Sequence, residues 1–249
     1  MVRVLAAIAV IPSAPVLVPE LSGAAPDVTA ELVDARTAVR TAAAALPSRW
    51  IVVGSGRADA LIGPDAVGTF AGYGVDLRVQ LAPGAACALT ELPLCALIAG
   101  WVRGLAAPGA RAEVRVYRDD LDAATAVATG RALRTEIDAA ADAVGVLVVA
   151  DGANTLTPSA PGGHDPDSVA LQAMLDDALA AGDTAALARV GAGVVGRVAY
   201  QVLAGLGAPA EAIELYRGAP YGVGYFAGVW RPAGWTPAVG ESATGGSAP

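Results

Sequence analysis

The chain has 249 residues, of which 55% are hydrophobic and 16% are charged, so it can build one sizeable core. Acidic residues outnumber basic ones by 24 to 16, the formal net charge is −8, and every basic residue is arginine. This balance argues against nucleic acid and against an anionic membrane surface as partners, because both need a basic face on the protein.

Seven apolar, β-branched runs predict strands. In chain order they cover residues 2–11, 50–54, 75–80, 112–118, 144–150, 212–216 and 222–230. The first run is short and is followed by Pro12, Pro15 and Pro19, so we interpret it as a buried strand rather than as a signal peptide.

Helical patterns lie between most of these strands. Over 28–46, apolar residues recur at three- and four-residue steps and form one stripe, made of Leu32, Ala35, Val39, Ala42 and Leu46. Residues 123–143 carry a similar stripe, made of Val127, Leu133, Ile137 and Ala141. A third helix should follow Asp165, which can cap it, with Pro166 in the first helical position and an inner face of Leu171, Leu175 and Leu179. A further helix is predicted over 183–206.

Because strands and helices alternate along the chain, the sequence predicts an α/β fold, with a mainly parallel or mixed central sheet and helices on both faces. No linker-like stretch divides the chain, so residues 1–234 should form one domain. Residues 235–249 are small, polar and rich in proline and glycine, which predicts a disordered tail.

The remaining features of composition place the protein in a reducing, aqueous compartment. Cys87 and Cys95 do not form the pattern of a disulfide framework, and Cys95 lies in an apolar helical stretch where a thiol acts as a small hydrophobe. The two most apolar internal segments are interrupted by Arg103 and Arg197, so neither provides the roughly 20 uncharged residues of a membrane span. We therefore expect a cytoplasmic, soluble protein.

Ligands of open α/β sheets gather beyond the carboxyl ends of the strands, where three loops of this chain fall, and a fourth segment is of interest beside them. Three are loops that follow the first, second and fifth strands, and the fourth joins the last two strands. They read IPSAPVLVPEL, VVGSGRAD, ADGANTLTPSAPGGHDPD and YRGAPYGVGYFAGVW.

Three familiar kinds of site fit these loops poorly. GSGRAD has two glycines of a dinucleotide fingerprint, but Asp59 occupies the place of the third. Ser55, His164 and Asp151 could form a hydrolase triad, although Ser55 is not in a G-x-S-x-G elbow. A carboxylate site for Mg²⁺ or Ca²⁺ stays open, but the acids of these loops lack ligand-loop spacing.

His164 is the sole histidine of the sequence, directly before the Asp165 cap. One interpretation makes it a general base, since a neutral imidazole can accept a proton. The other makes it a polar loop residue that packs on the start of the helix, and this second interpretation is favoured. An iron site with two imidazoles and a carboxylate cannot be assembled from one histidine.

The four segments resemble the LigB-type class III extradiol dioxygenases, a superfamily that also includes the Memo-like proteins. Relatives typically read PHPP-L-VPE, SPHG, D-x-SHRLT-x-x-AP-x-GYDP and PFGVGY. The matching stretches here are PSAPVLVPE at 12–20, VGSG at 53–56, DGANTLTPSAPGGHDP at 151–166 and PYGVGY at 220–225. The third and fourth matches are the specific ones, and the resemblance extends from the first strand to Trp230.

The resemblance also implies what has changed. In active relatives two of the motif histidines bind Fe(II) with a carboxylate, and the third acts as acid and base on a catechol. Their positions here hold Ser13, Ser55 and Asn154. Glu211 and Glu214 match no motif that would identify the carboxylate. We therefore expect no metal ligands and no cofactor, although the family uses Fe(II).

The sequence thus predicts a LigB-like protein with a degenerate metal site, a non-catalytic binder of a small molecule or a protein. Its pocket would contain Ser13, Ser55, Asp151, Asn154 and Tyr221. The alternative is an active oxidoreductase, or a metal-free enzyme of altered chemistry, with His164 as its base. A homo-oligomer that borrows metal ligands from a second copy ranks last, because each copy brings one more His164 only.

Overall fold

The computed structural model describes residues 4–22 and 26–233, so the predicted tail at 235–249 lies outside the described residues. The strands are β1 (Leu5–Ile11), β2 (Arg49–Gly56), β3 (Ala60–Ile62), β4 (Val67–Thr69), β5 (Arg78–Gln80), β6 (Arg111–Arg118), β7 (Val144–Val149), β8 (Glu211–Gly218) and β9 (Tyr225–Arg231). The α-helices are α1 (Pro26–Ala44), α2 (Leu94–Ala106), α3 (Ala123–Asp138), α4 (Asp167–Ala181), α5 (Thr184–Leu187) and α6 (Arg197–Gly205). None of the helices in these ranges is both long and apolar enough to span a membrane.

Seven of the strands form one mixed sheet in the order β3-β6-β2-β7-β1-β9-β8. Its centre is parallel, because β6 pairs with β2, β2 with β7 and β7 with β1 in that sense. Antiparallel strands flank this centre, β3 at one edge and the β9–β8 hairpin at the other. β4 and β5 form a separate two-stranded sheet. The predicted α/β architecture is confirmed.

Helices cover both faces of the sheet, as predicted, because successive side chains of each central strand point to opposite sides. In β1, Ala7, Ala9 and Ile11 belong to the core that packs under α1 and α2. Ile8 and Val10 belong to the second core, which packs under α3, α4 and α6. The predicted apolar stripe of α1 is buried throughout, from Leu32 to Leu46.

The prediction of a single helix over 183–206 is wrong. The structure has the short α5 and then α6, and residues 188–196 between them are not α-helical. The N–H groups of Val195 and Gly196 donate to the carbonyl oxygens of Gly152 and Asp151 at 3.0 and 2.8 Å. These bonds hold the segment against the loop after β7. Its glycines adopt a non-helical backbone at little cost in free energy.

Several predicted boundaries also shift. The strand predicted at 75–80 is reduced to β5, which pairs with β4 outside the main sheet. The strand predicted from residue 222 begins at Tyr225, since Pro220–Gly222 forms a 3₁₀ turn. The helix predicted to reach residue 143 ends at Asp138. The short strands β3 and β4 were not predicted, because three residues carry too little pattern.

Candidate functional site

A cavity of about 580 Å³ opens where the loops after β1 and β7 meet the connection between β8 and β9. It lies beyond the carboxyl ends of two adjacent parallel strands, the usual place for a ligand in an α/β sheet. Its size is that of a site for a small organic molecule. The lining residues are Ala14, Pro15, Val16, Leu21, Asp151, Asn154, Ser159, Pro161, Val195, Tyr221, Val223 and Tyr225.

Asp151 provides the carboxyl group of this cavity, just after β7. The backbone N–H of Ser13 donates to Asp151 Oδ1 at 2.7 Å and so ties the loops after β1 and β7 together. Burial raises the pKa of Asp151 to about 7, and the Ser13 hydrogen bond opposes that rise only in part. Near neutral pH both the acid and the carboxylate are therefore populated, so the group can exchange a proton or pair with a cation.

Two tyrosines line the cavity together with Asp151. Tyr225 is 2% exposed, and burial together with the charge of Asp151 raises its pKa, so its phenol stays protonated as a hydrogen-bond donor. Tyr221 is 38% exposed and, with φ 57° and ψ 24°, is the one non-glycine among the described residues in the left-handed region. Such a conformation is strained for a bulky side chain and is a frequent feature of ligand sites.

The two segments with the most specific motifs are joined directly by backbone hydrogen bonds. The N–H of Gly152 donates to the oxygen of Gly224, and the N–H of Gly224 donates to that of Ala153, both at 2.8 Å. Farther along, the N–H of Leu156 donates to the oxygen of Gly222 at 3.1 Å. These bonds hold the loop that carries Asp151 and Asn154 against the turn that carries Tyr221.

A buried polar pair on α4 supports this loop from below. The N–H of Ala153 donates to Gln172 Oε1, and Gln172 Nε2 donates to Asp176 Oδ1, both at 2.8 Å. A Cβ at Gly152 or at Gly224 would collide with the carboxamide of Gln172. Burial raises the pKa of Asp176 to about 6. Sequence reasoning missed this pair, although two polar residues four apart beside a predicted apolar stripe were a visible signal.

Three of the predicted pocket residues line the cavity together: Asp151, Asn154 and Tyr221. Ser13 contributes its backbone N–H to Asp151 without lining the cavity. Ser55 lies near the end of β2, in register with Tyr117 of β6, and does not line it. Tyr225 and Val195 line it but were not predicted as pocket residues.

His164 is exposed and is not among the residues that line the cavity. It follows Gly163, whose φ of 87° turns the chain toward α4. Asp165 then supports the start of that helix as the sequence indicates, because Asp165 Oδ1 accepts the N–H of Asp167 at 3.1 Å and Oδ2 accepts the hydroxyl of Ser168 at 3.3 Å. The helix itself begins at Asp167, within the usual variation of helix boundaries.

The residues present do not fit a ferrous ion held in the manner of the resembling family. Ser13 and Ser55, where the sequence resemblance would place iron-binding histidines, have neutral hydroxyls, which are poor ligands for Fe(II). Within 4–22 and 26–233, no three His, Cys, Asp or Glu side chains cluster so as to hold a metal. Cys95 is buried against Gly54, and burial raises the pKa of its thiol to about 11, so it acts as a small hydrophobe as predicted.

Comparisons with known proteins bear on the fold. No protein-family model matches the sequence, and no curated protein matches it. The structure is similar to the crystal structure of uncharacterized protein JW3007 from Escherichia coli K12, with a TM-score of 0.54 and 11% sequence identity. The similarity covers 90% of this chain and 99% of that chain. At this identity the likeness extends to the fold, and function has to be argued from the site.

Proposed function

We propose that this chain is a LigB-like protein with a degenerate metal site, which binds a small organic molecule and does not cleave aromatic rings. The observation that carries the proposal is the cavity of about 580 Å³, with Asp151 at its wall and mostly apolar residues around it. A concave, largely apolar site with a few polar groups is typical of small-molecule binding, whereas a protein partner would more often use a flat surface.

The proposed loss of ring-cleavage activity is supported by the residue found in place of the relatives' acid–base histidine. Asn154 stands where relatives have the acid–base histidine, and a carboxamide does not exchange a proton near pH 7. The loop nevertheless keeps the bonds that shape it, such as the N–H of Gly162 donating to the oxygen of Asn154 at 2.9 Å. A cavity whose loop structure is kept while its acid–base group is lost suits ligand binding better than catalysis. We propose that this binding takes place in the cytoplasm.

Anaerobic reconstitution with Fe(II) tests this proposal. Bound metal is measured by elemental analysis, and oxygen uptake is followed with a panel of catechols. We expect less than one tightly bound iron per chain and no uptake above the protein-free rate. One tightly bound iron per chain together with catechol turnover would contradict the proposal and identify the protein as an active dioxygenase.

A metal-free enzyme is the second candidate, favoured by the Asp151 carboxyl with its pKa of about 7 beside the protonated phenol of Tyr225. In such an enzyme the acid–base group is Asp151 within the cavity, or His164 on the exposed loop. Asp151→Asn and His164→Ala separate the two, because only the true base is needed for turnover. Metal-free turnover that survives both substitutions would show that neither group is the base, and the absence of any turnover without metal would exclude this candidate.

A further inference from the structure

We infer that the ligand of this cavity is an organic primary amine, whose ammonium group pairs with Asp151 while its apolar body fills the rest of the space. The inference rests on the proposed small-molecule function and adds the chemical class of the ligand. It comes from the charges that line the cavity and from what surrounds Asp151.

The charge of the cavity has one sign. Of its lining residues, all within the described chain, Asp151 is the only one that carries a charge near neutral pH, and none is arginine or histidine. A carboxylate or phosphate ligand would find no cation to pair with and would face Asp151 instead. Burying an unpaired charge is costly, so the lining disfavours anions and favours a cation.

Arg36 lies close enough to Tyr221 for their charges to interact, but its guanidinium is already engaged in hydrogen bonds. Arg36 of α1 donates from Nε to the oxygen of Leu17 at 2.9 Å, and from Nη2 to the oxygen of Val16 at 3.1 Å and to Ser22 Oγ at 3.0 Å. These bonds hold its guanidinium against the backbone of the loop after β1. Arg36 thus shapes the wall of the cavity and does not neutralise Asp151.

The other groups around Asp151 are neutral donors and phenols. Its Oδ1 accepts the N–H of Ser13, the one hydrogen bond that it receives from residues 4–22 and 26–233. The hydroxyl of the fully buried Tyr200 is committed elsewhere, because it donates to the oxygen of Ala150 at 2.9 Å. Tyr225 is close enough for the charge of Asp151 to raise the pKa of its phenol. Asp151 therefore lacks the counter-ion that an ammonium group would supply.

The remaining polar groups suit a primary ammonium, which has three N–H donors. The amide oxygen of Asn154 and the phenol oxygen of Tyr225 line the same cavity as Asp151, and each can accept a hydrogen bond. The tyrosine rings also offer faces that attract a cation. The lining also includes apolar side chains such as Val16 and Val223, and the volume of about 580 Å³ has room for an aromatic or aliphatic body.

The test compares three probes that share a phenyl ring and a chain of similar length: 2-phenylethylamine, 2-phenylethanol and 3-phenylpropanoate. Affinity is measured by calorimetry at pH 8, where Asp151 is mostly ionised. We expect the amine to bind at least tenfold more tightly than the alcohol, and the carboxylate to bind more weakly than both.

Two variants and a pH series complete the test. Asp151→Asn keeps the shape of the side chain and the acceptor for Ser13, and should weaken the amine at least tenfold while changing the alcohol less than twofold. Asp142→Asn removes the same charge from an exposed position before β7, at the other end of that strand, and should change neither. In the unaltered protein, amine affinity should fall about tenfold from pH 8 to pH 6 as Asp151 is protonated, and alcohol affinity should not.

The outcomes separate this inference from the function on which it rests. If the alcohol or the carboxylate binds as tightly as the amine, the cavity binds small molecules but the amine assignment is wrong. If none of the three probes binds, both the assignment and the proposed function are overturned. If Asp151→Asn fails to fold, the pH series in the unaltered protein decides, and an amine affinity independent of pH contradicts the inference.

Discussion

Gln172 holds the backbone of Ala153 in place: its Oε1 accepts the Ala153 N–H at 2.8 Å, over a separation of 19 residues. The same carboxamide donates to Asp176 on the next turn of α4. Both Gln172 and Asp176 are buried, so their hydrogen bonds have no ready substitute in water. The loop that carries Asp151 and Asn154 therefore depends on one side chain of the helix beneath it.

Gln172→Met should lower the free energy of unfolding by about 2 kcal/mol, because methionine keeps the length of the side chain but leaves the Ala153 N–H buried without an acceptor. Urea denaturation measures the change. Gln201→Met is the matched control on α6, where Gln201 is 1% exposed and donates to the oxygen of Val190 at 2.9 Å. Both variants should lose stability, but only the first should weaken a ligand of the cavity. Unchanged stability in Gln172→Met would contradict the supporting role.

Gly222→Ala should be much more damaging than Gly84→Ala, although both glycines have positive φ, 75° and 68°. At Gly84 an added Cβ meets nothing within 4 Å, so the cost is the backbone strain of about 1 kcal/mol. At Gly222 the Cβ would collide with Thr157 Oγ1 and lie 2.6 Å from Ala160 Cβ, which should add about 2 kcal/mol. Equal midpoints for the two variants in thermal unfolding would show that this turn can move away from the loop.

How far the sequence predicts this fold depends on the length of each pattern. The stripe of α1 extends over about four turns, and each of its positions from Leu32 to Leu46 is buried as predicted. The segment 188–196 has apolar residues at helical spacing too, yet its backbone bonds to Gly152 and Asp151 instead. Local periodicity carries no information about such long-range hydrogen bonds. The sequence pattern therefore predicts a helix over residues that the structure shows as non-helical.

The candidate site was predictable where a residue type carries the chemistry. Asp151, Asn154 and Tyr221 were predicted as pocket residues and share one cavity. The position of Ser55 was not predictable in the same way, because β2 extends to Gly56 and so holds Ser55 within the strand, in register with Tyr117, and not in the loop that follows. Nor could a sequence indicate the pKa of Asp151, which depends on how much protein surrounds the carboxyl.

Gly130→Ala should unfold more easily than the unaltered protein, whereas Gly104→Ala should be at least as stable. Both glycines lie within helices, and replacing an exposed helical glycine by alanine gains up to about 1 kcal/mol, which Gly104 should show because nothing lies within 4 Å of its Cβ. A Cβ at Gly130 would collide with the oxygen of Val202 and lie 2.8 Å from the Cα of Gly205, where α3 crosses α6. We expect a loss of about 3 kcal/mol by chemical denaturation. A gain of stability in Gly130→Ala would contradict the close crossing.

The pH dependence of stability should report Asp151 directly. Its pKa is about 7 in the folded protein and near the ordinary 3.8 in the unfolded chain, so between these values the folded state holds a proton that the unfolded state has released. The free energy of unfolding therefore falls as the pH rises toward 7 and levels off above it. From pH 6 to pH 8, Asp151 should account for a loss of about 1 kcal/mol.

Asp176 contributes a fall of the same sign, but its pKa of about 6 places most of that fall below pH 6. Urea denaturation at half-unit steps from pH 5 to pH 8 separates the two groups. Asp151→Asn, which has no proton to lose, should flatten the curve between pH 6 and pH 8, and Asp176→Asn should flatten it mainly below pH 6. A slope above pH 6 that persists in Asp151→Asn would mean that another group holds the proton, and the carboxyl of the cavity would then be ionised throughout this range.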